Sequence, residues 1–222
     1  MAEKIDFYQI WFKEDHKAKL YPFATPYFNE GLTPYFENTI ISELVSQSEA
    51  DKIAVCSWAL RDKRTGVIPP KRDVSIEVMQ EDFDVMSFTK NGRDHDMLGA
   101  LDAWHPGSSA ILRKIFKKLG HKMVERPNFP IYQNAFCAKT DIYKRYVEEF
   151  LNPAMLLIHF DEEIHHLAFQ NSNYTRTITN IPVDLVRIKR LLGLDYYPLV
   201  PFLLERCFSL WIEDKNYKIV YL

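Results

Sequence analysis

The chain has 222 residues, of which 47% are hydrophobic and 14% aromatic, so it can bury a substantial core. This aromatic content excludes an intrinsically disordered chain, because such chains lack the apolar surface that offsets the loss of chain entropy on folding. Twenty-eight basic and 30 acidic residues give a formal net charge of −2. A dedicated nucleic-acid binder usually carries a basic excess, so we expect no nucleic-acid partner.

Three cysteines lie far apart in the sequence, at Cys56, Cys137 and Cys207. Their odd number and the absence of a CxxC pair predict buried, reduced thiols rather than disulfides or a zinc site. The first residues resemble no secretory signal, and no apolar run approaches the roughly 20 residues that span a bilayer. We therefore expect a cytoplasmic protein, with peripheral attachment to the inner membrane as an open alternative.

The N-terminal part of the chain alternates between strand and helix patterns. Aromatic and branched residues predict a strand at 5–12, and apolar residues at helical spacing predict a helix at 36–50. A continuous apolar run at 52–60 is typical of a buried strand, and a shorter apolar run predicts another strand at 83–89.

The clearest helix prediction covers residues 108–120, SSAILRKIFKKLG. Its apolar residues share one face: Ile111, Leu112, Ile115, Phe116 and Leu119. The opposite face carries four cations: Arg113, Lys114, Lys117 and Lys118. We expect Ser108 to cap the start of this helix and Gly120 to end it. The basic face is interpreted as a solvated surface, with docking to an anionic membrane or an acidic carrier as the alternative.

The C-terminal part of the chain is richer in helix patterns. The predicted elements are a strand at 131–139, a helix at 140–151 capped by Thr140, helices at 183–193 and 200–212, and a strand at 217–222. Proline breaks a helix interior, so we expect a new helix to begin at Pro153 with Asn152 as its cap. The alternation predicts an α/β fold with a mixed, partly parallel sheet flanked by helices, in a single domain over 1–222 with a helix-rich part from about 140.

The stretch RDHDMLGALDAWHPGSS, residues 93–109, follows the predicted strand at 83–89. Ligands of open α/β sheets bind beyond the carboxyl ends of strands, which makes this stretch a candidate site. Asp94 and Asp96 are two positions apart and could hold a divalent cation, Mn²⁺ or Mg²⁺, on a diphosphate. A solvated loop or a helix cap is the alternative for these carboxylates.

The end of the same stretch, WHPGSS, combines a turn with a predicted helix start. Unpaired amides at a helix start favour an anion, so Gly107 and Ser108 are candidates for binding a phosphate or a sugar hydroxyl. Trp104 offers a stacking surface beside them, and His105 offers a group that can exchange a proton. Structural capping alone is the alternative.

Two charged neighbours, Glu205 and Arg206, interrupt the apolar helix predicted at 200–212. Adjacent helical residues project about 100° apart, so we expect each charge to reach a separate partner or a ligand-filled cavity. A partly buried structural pair is the alternative.

Four stretches resemble, in the same order, glycosyltransferases encoded with bacterial capsule and surface-glycan genes. They are FYQIWFKEDHKAKLYPFATPYFN near the start, AWHPG in the middle, YQNAFCAK after it and PFLLERCFSLWI near the end. The resemblance implies transfer of a sugar from a nucleotide-activated donor to a glycan or lipid-linked acceptor, on an α/β fold of the GT-A type. A non-catalytic glycan-binding or scaffold protein that retains the fold is the alternative.

The resemblance also assigns residues to roles. The elements that match are His105, Pro106 and Gly107 in the middle, Asn134, Ala138 and Lys139 in the strand, and Glu205 and Arg206 near the end. Glu205 or His105 is then the candidate catalytic base, since either side chain can take a proton from an acceptor hydroxyl. Substrate binding is expected from Trp104, Gly107, Ser108, Asn134, Lys139 and Arg206, and metal binding from Asp94 and Asp96.

Overall fold

The computed structural model describes residues 2–64, 72–89, 96–128, 130–131, 133–172, 174 and 185–222, with the backbone alone for residues 63 and 64. Within these ranges the chain forms a sheet of six strands in the order β2-β1-β3-β5-β4-β6. The strands are β1 Ile5–Trp11, β2 Thr25–Phe28, β3 Lys52–Ser57, β4 Val85–Ser87, β5 Phe136–Lys139 and β6 Ile219–Tyr221.

The sheet is mixed, as predicted. β1 pairs in parallel with β2 and β3, β4 pairs in parallel with β6, and β5 runs antiparallel to both of its neighbours, β3 and β4. Five of the six described strands therefore end at one edge, which we call the carboxyl edge. β5 begins at that edge and ends at the opposite one.

Helices pack on the sheet. The α-helices of the described ranges are α1 Glu37–Gln47, α2 Leu60–Arg64, α3 Ile76–Met79, α4 Met97–Trp104, α5 Ser108–Lys118, α6 Thr140–Tyr146, α7 Asn152–Phe160, α8 Glu162–Ala168, α9 Leu185–Leu192 and α10 Val200–Ile212. A 3₁₀ helix spans Glu14–Lys19, and a π-helical turn, Val147–Leu151, joins α6 to α7. None of the helices described is both long and apolar enough to cross a membrane.

Each face of the sheet covers its own core, because side chains alternate along a strand. In β3, Ile53 and Val55 pack into the larger core with α1, α5, α6, α7 and α10, whereas Ala54 and Cys56 face the smaller one. All three cysteines are buried and unpaired to one another, as the sequence predicts. The α/β class and the helices flanking the sheet are thus confirmed.

The predicted helix at 108–120 is confirmed in its extent and in its buried face. Ile111, Leu112, Ile115 and Phe116 are buried, and Leu119, just past the last helical residue, is partly buried. The expected cap is wrong, because the N-cap residue is Gly107, which has no side chain to accept a hydrogen bond, and Ser108 is the first helical residue.

Two other predicted elements are corrected here, and the predicted helix break at Pro153 is corrected below. Residues 93–109, for which the sequence predicts no helix before Ser108, contain α4, whose apolar side chains Met97, Leu98 and Leu101 are buried. The strand predicted at 131–139 is only its last four residues, because Gln133 and Asn134 have positive φ angles of 62° and 50°, which an extended strand does not allow.

Pro153 does not interrupt the helix before it. The backbone continues from α6 through the π-helical turn into α7, and Asn152 N–H bonds to the carbonyl of Val147, five residues back. The wider turn accommodates the residue that lacks an N–H, so the expected break at Asn152 is wrong.

A buried lysine ties the N-terminal segment to the sheet at the edge opposite the carboxyl edge. Lys52, the first residue of β3, lies over the ring of Phe83, and its Nζ donates to the carbonyls of Met79 at 3.1 Å and Glu81 at 2.7 Å. The same Nζ is 2.5 Å from Oε2 of Glu3. The ammonium is thus fully coordinated, which is the condition for burying a charge.

We predict that Lys52→Met lowers the free energy of unfolding by about 2–4 kcal/mol, because two carbonyls and a carboxylate lose a charged donor. Urea denaturation of the purified protein measures this change. Lys4→Met, which alters an exposed lysine, is the matched control and should stay within about 0.5 kcal/mol of the wild type. Equal midpoints for the two variants would contradict the structural role of Lys52.

Candidate functional site

The carboxyl edge gathers polar and aromatic residues from distant parts of the chain. The residues that follow or precede the strands there are Phe12 after β1, Asn29 after β2, Trp58 after β3, Phe88 after β4 and Asn134 before β5. In α/β sheets this edge is where ligands bind. Residues 65–71 and 90–95 belong to connections after β3 and β4 and lie outside the described residues.

The expected metal pair is described only in part, because Asp94 lies outside the described residues. Asp96 is exposed and caps α4, since its Oδ1 accepts the N–H of Gly99 at 2.9 Å. A side chain at Gly99 would overlap the Asp96 carboxylate, so this carboxylate is seated on the helix start. Among the described residues no three His, Cys, Asp or Glu side chains form a cluster suited to a metal ion. The described donors alone therefore do not fit a cation.

The start of α5, expected to bind a ligand anion, already contacts a carboxylate of the chain. Asp102 in α4 accepts the N–H of Ser109 at 2.8 Å and also the Ser109 hydroxyl. Ser108 is fully buried, and its hydroxyl has no hydrogen-bond partner in the described part of the chain. Gly107, at φ 87°, forms the left-handed turn before the helix. Asp102, which the sequence interpretation missed, takes the place of the expected phosphate.

The basic face of α5 is largely neutralised by carboxylates. Three of its four cations form ion pairs: Arg113 with Glu125, Lys114 with Glu163 and Lys118 with Asp161. Two of the partner carboxylates belong to the start of α8, which packs on α5. This face consequently offers little net positive charge to an anionic surface.

His105 is the most enclosed of the predicted site residues with a titratable side chain. It ends α4, is 5% exposed, and stacks on Phe202 with 3.7 Å between ring centroids. Its Nδ1 lies 3.2 Å from the carbonyl oxygen of Ser172. Burial lowers the pKa of His105, and the Arg206 charge lowers it further, against the opposing effects of the Ser172 carbonyl and Glu205.

The imidazole is therefore neutral near pH 7. A neutral ring whose Nδ1 faces a carbonyl oxygen carries its hydrogen on Nδ1, which leaves the lone pair on Nε2. Nε2 is thus the atom of His105 at which a proton can bind, although burial makes the imidazolium less favourable than it is in water.

Glu205 and Arg206 lie beside this histidine, on the middle of α10. Their side chains are 22% and 12% exposed, and Arg206 Nη1 is 3.4 Å from Glu205 Oε2. The two neighbours pair with each other, as in the structural pair that the sequence leaves as the alternative, because their long side chains bend toward each other. Burial raises the pKa of Tyr174 and of Tyr197, and the negative charge of Glu205 is the second largest cause of the increase for both tyrosines.

Aromatic rings enclose this polar group. Tyr174, Tyr197 and Phe202 pack with ring centroids 5.0–5.4 Å apart, and Phe36 lies 5.0 Å from Tyr197. Phe36 adopts a positive φ of 56°, a strained conformation for a bulky residue that is common near functional sites. We call the six residues of this group the His105 cluster: His105, Tyr174, Tyr197, Phe202, Glu205 and Arg206.

The sequence patterns indicate the three charged or ionisable members of the His105 cluster, His105, Glu205 and Arg206, but not the three aromatic ones. The run YYPLVPF, which holds Tyr197 and Phe202, was a signal in the sequence, but a run of this kind is equally typical of a core. Tyr174 carries no local signal, because its role depends on rings from elsewhere in the chain.

The remaining predicted residues divide between the two edges of the sheet. Trp104, next to His105, has 54% of its surface exposed, and Asn134 is buried at the carboxyl edge. Lys139 ends β5 at the opposite edge and pairs with Asp84 at 2.7 Å, away from the other candidates. Asp96 and His105 lie at the two ends of α4, about 14 Å apart along the helix axis at 1.5 Å per residue, and their joint pocket stays a prediction.

A second group of rings and cations lies at the ends of β1 and β3. His16 stacks on Trp58 with 3.7 Å between centroids and meets the edge of Phe12. Its pKa is lowered by burial and by the nearby cations, among them Lys13 and Lys19, with Asp15 acting in the opposite direction. Sequence interpretation missed this group, although cations do follow the aromatic strand end in WFKEDHKAK.

A cleft of about 340 Å³ opens at the ends of β1 and β2. We call it the Arg187 cleft, and its lining residues are Phe12, Phe28, Asn29, Glu30, Val186, Arg187 and Arg190. Arg187 is held against its wall, since its guanidinium lies over the Phe12 ring and donates to the carbonyl of Asn29 at 2.6 Å.

We predict that Asp102→Ala lowers the free energy of unfolding by about 1–3 kcal/mol, because two donors at the start of α5 lose their acceptor. Asp96→Ala removes an exposed cap with one donor and should cost less, at about 0.5–1 kcal/mol. Chemical denaturation of both variants in parallel measures the difference. A larger cost for Asp96→Ala would show that the Asp102 contact is weak.

We also predict a pH dependence of stability from His105. Its folded-state pKa lies below the unfolded value of about 6.5, so the unfolded chain binds a proton first as the pH falls. The contribution of neutral His105 to the free energy of unfolding is complete above the unfolded-state pKa, and it is lost as the pH falls toward the folded-state pKa. The stability difference between wild type and His105→Gln should therefore shrink from pH 7.5 to pH 5.5, and parallel curves would contradict the assignment.

Comparison with known proteins yields no relative from which to transfer a role. No protein-family description matches the chain, and no curated protein or solved structure matches it significantly.

Proposed function

We propose that the protein is a glycosyltransferase that moves a sugar from a nucleotide-activated donor to a hydroxyl of a glycan or lipid-linked acceptor. The observation that carries this proposal is the His105 cluster, in which a neutral imidazole, a carboxylate and a guanidinium share a wall of aromatic rings. Ligand sites combine an apolar lining with a few convergent polar groups in this way. The sequence resemblance gives the reaction class.

The type of sheet is part of the proposal. Parallel strands that end at a common edge, with helices on both faces, are compatible with the GT-A type of fold that the resemblance implies. Lys13, a cation near His16, lies at the same edge and suits the diphosphate of a donor, whereas Lys19 pairs with Asp62 at 2.7 Å.

In this proposal His105 is the catalytic base. The acceptor oxygen attacks the anomeric carbon of the donor sugar, the bond from that carbon to the diphosphate breaks, and the hydroxyl proton moves to Nε2 of His105. Glu205 binds sugar hydroxyls and balances the imidazolium that forms, and Arg206 holds the Glu205 carboxylate. The exposed ring of Trp104 supplies a stacking surface for a sugar beside His105.

The proposal assigns no step to a metal. Asp96 is used as a helix cap, and the described residues alone do not fit a cation, so binding of Mn²⁺ or Mg²⁺ depends on Asp94. Among the other candidates, Asn134 lies at the carboxyl edge, whereas Ser108 is buried and Lys139 lies at the opposite edge.

A glycan-binding protein without transferase activity is the second candidate, because the same aromatic and polar groups could hold a saccharide. The two functions differ in their ligands. A transferase must bind the nucleotide part of the donor, whereas a glycan binder needs only the oligosaccharide.

We expect a nucleoside diphosphate or its sugar, tested with and without Mn²⁺, to raise the melting temperature of the protein. A ligand at about 100 times its dissociation constant should raise it by roughly 5–10 °C, because it binds the native state alone. A thermal-shift screen of nucleotide sugars and free oligosaccharides measures this. Stabilisation by oligosaccharides alone would overturn the transferase and support the glycan binder.

With the donor identified, His105→Gln should lower the turnover number by about 10²–10⁴-fold, as expected for loss of a general base. Glu205→Gln should also abolish transfer while leaving the melting temperature nearly unchanged, and Glu162→Gln, an exposed glutamate on α8, is the matched control. If Glu205→Gln instead lowers the melting temperature by several degrees without a selective loss of activity, Glu205 is structural.

A further inference from the structure

The solvent-facing side of α9 carries an unusual combination of residues. At 100° per residue, Val186, Lys189 and Arg190 project to one side of the helix, and the buried Ile188 projects to the other. Val186 is 80% exposed, and α9 contains three cations and no acidic residue. Exposed apolar side chains among cations are typical of helices that lie on an anionic bilayer surface.

The surface continues beyond α9 onto the edge of the sheet. Phe28, at the end of the edge strand β2, is 48% exposed and borders the Arg187 cleft together with Val186. Arg187 and Arg190 line the same cleft, whose only carboxylate among the lining residues is Glu30. Within the described ranges, neither Lys189 nor Arg190 forms an ion pair. Two guanidinium groups in a cleft of this size, beside exposed apolar side chains, fit a phosphate group that is attached to a hydrocarbon chain.

We propose that α9 and Phe28 form the face with which the protein docks on an anionic lipid bilayer, with a lipid phosphate in the Arg187 cleft. Val186 and Phe28 enter the interface, and Lys189 and Arg190 contact the headgroups. This docking face rests on the proposed function in one respect, because it assumes that the sugar acceptor is lipid-linked. Docking would bring such an acceptor to the carboxyl edge.

Other surfaces of the described part fit a bilayer less well. The basic face of α5 is neutralised by Glu125, Asp161 and Glu163. Leu156 and Phe160 on α7 are strongly exposed, but the charges next to them, on α5 and at the start of α8, pair with one another, so this surface offers an anionic headgroup little positive charge. Of the surfaces described, α9 combines the exposed side chain of Val186 with two cations, Lys189 and Arg190, that form no ion pair within the described ranges.

Sedimentation of the purified protein with vesicles tests the proposal without any assay of sugar transfer. We expect binding to mixed phosphatidylglycerol–phosphatidylcholine vesicles, weak binding to pure phosphatidylcholine vesicles, and a decrease at high salt because the Debye length shortens. Failure to bind the mixed vesicles would overturn the docking face and leave the proposed transfer reaction intact. Failure of every nucleotide ligand would leave the vesicle result intact.

Matched variants locate the contact. The pair Lys189→Gln and Arg190→Gln should weaken binding by about 25-fold, since each cation near the surface contributes roughly fivefold. Val186→Asp, at an exposed position, should weaken it by at least tenfold without lowering the melting temperature. The pair Lys117→Gln and Lys122→Gln removes the same charge elsewhere on the surface and should leave binding within about twofold.

Two outcomes would overturn the proposal even if the protein sediments with vesicles. One is equal weakening by the two double variants, which would mean that net charge and not α9 causes binding. The other is binding of a soluble nucleoside diphosphate in the Arg187 cleft, where Arg190→Gln abolishes this binding but leaves vesicle binding unchanged.

Discussion

Parallel pairing of β1 with β2 and β3 is the constraint on which the rest of the molecule depends. Parallel strands cannot be joined by a tight turn, so the chain must cross back over the sheet between them. α1 makes such a crossing between β2 and β3 and covers the larger core. Because the paired strands end together, the segments that follow them converge at the carboxyl edge, and residues far apart in sequence meet there.

Enclosure by aromatic rings gives the His105 cluster its chemical character. A histidine in water would be partly charged near neutral pH, but burial against Phe202 disfavours the imidazolium. The neighbouring Glu205 and Arg206 act on it in opposite directions, so their pairing leaves burial as the dominant cause. The same enclosure raises the pKa of Tyr174 and Tyr197, which stay protonated and can act as hydrogen-bond donors.

Two basic helices of this protein have opposite electrostatic surroundings. α5 packs beside the acidic start of α8, so most of its cations are paired within the protein. The cations of α9 project from a helix without acidic residues and border a cleft with two arginines. Similar sequence patterns therefore lead to paired cations on α5, whereas Lys189 and Arg190 of α9 form no ion pair within the described residues.

Local patterns determined the α/β class, the helix α5 with its buried face and the apolar helix α10, because apolar periodicity and chain propensity need no information from elsewhere. Only the tertiary structure decided that Asp102 caps α5, that Lys139 lies at the opposite edge from Asn134 and that Glu205, Arg206 and Tyr174 surround His105. These relations join residues through strand direction and side-chain packing, which the order of residues along the chain does not encode locally. The sequence does not predict the short edge strand β2 or the turn before β5 for the same reason. β2 is defined by its pairing with β1, and the turn is defined by positive φ angles, so neither produces a hydrophobic pattern.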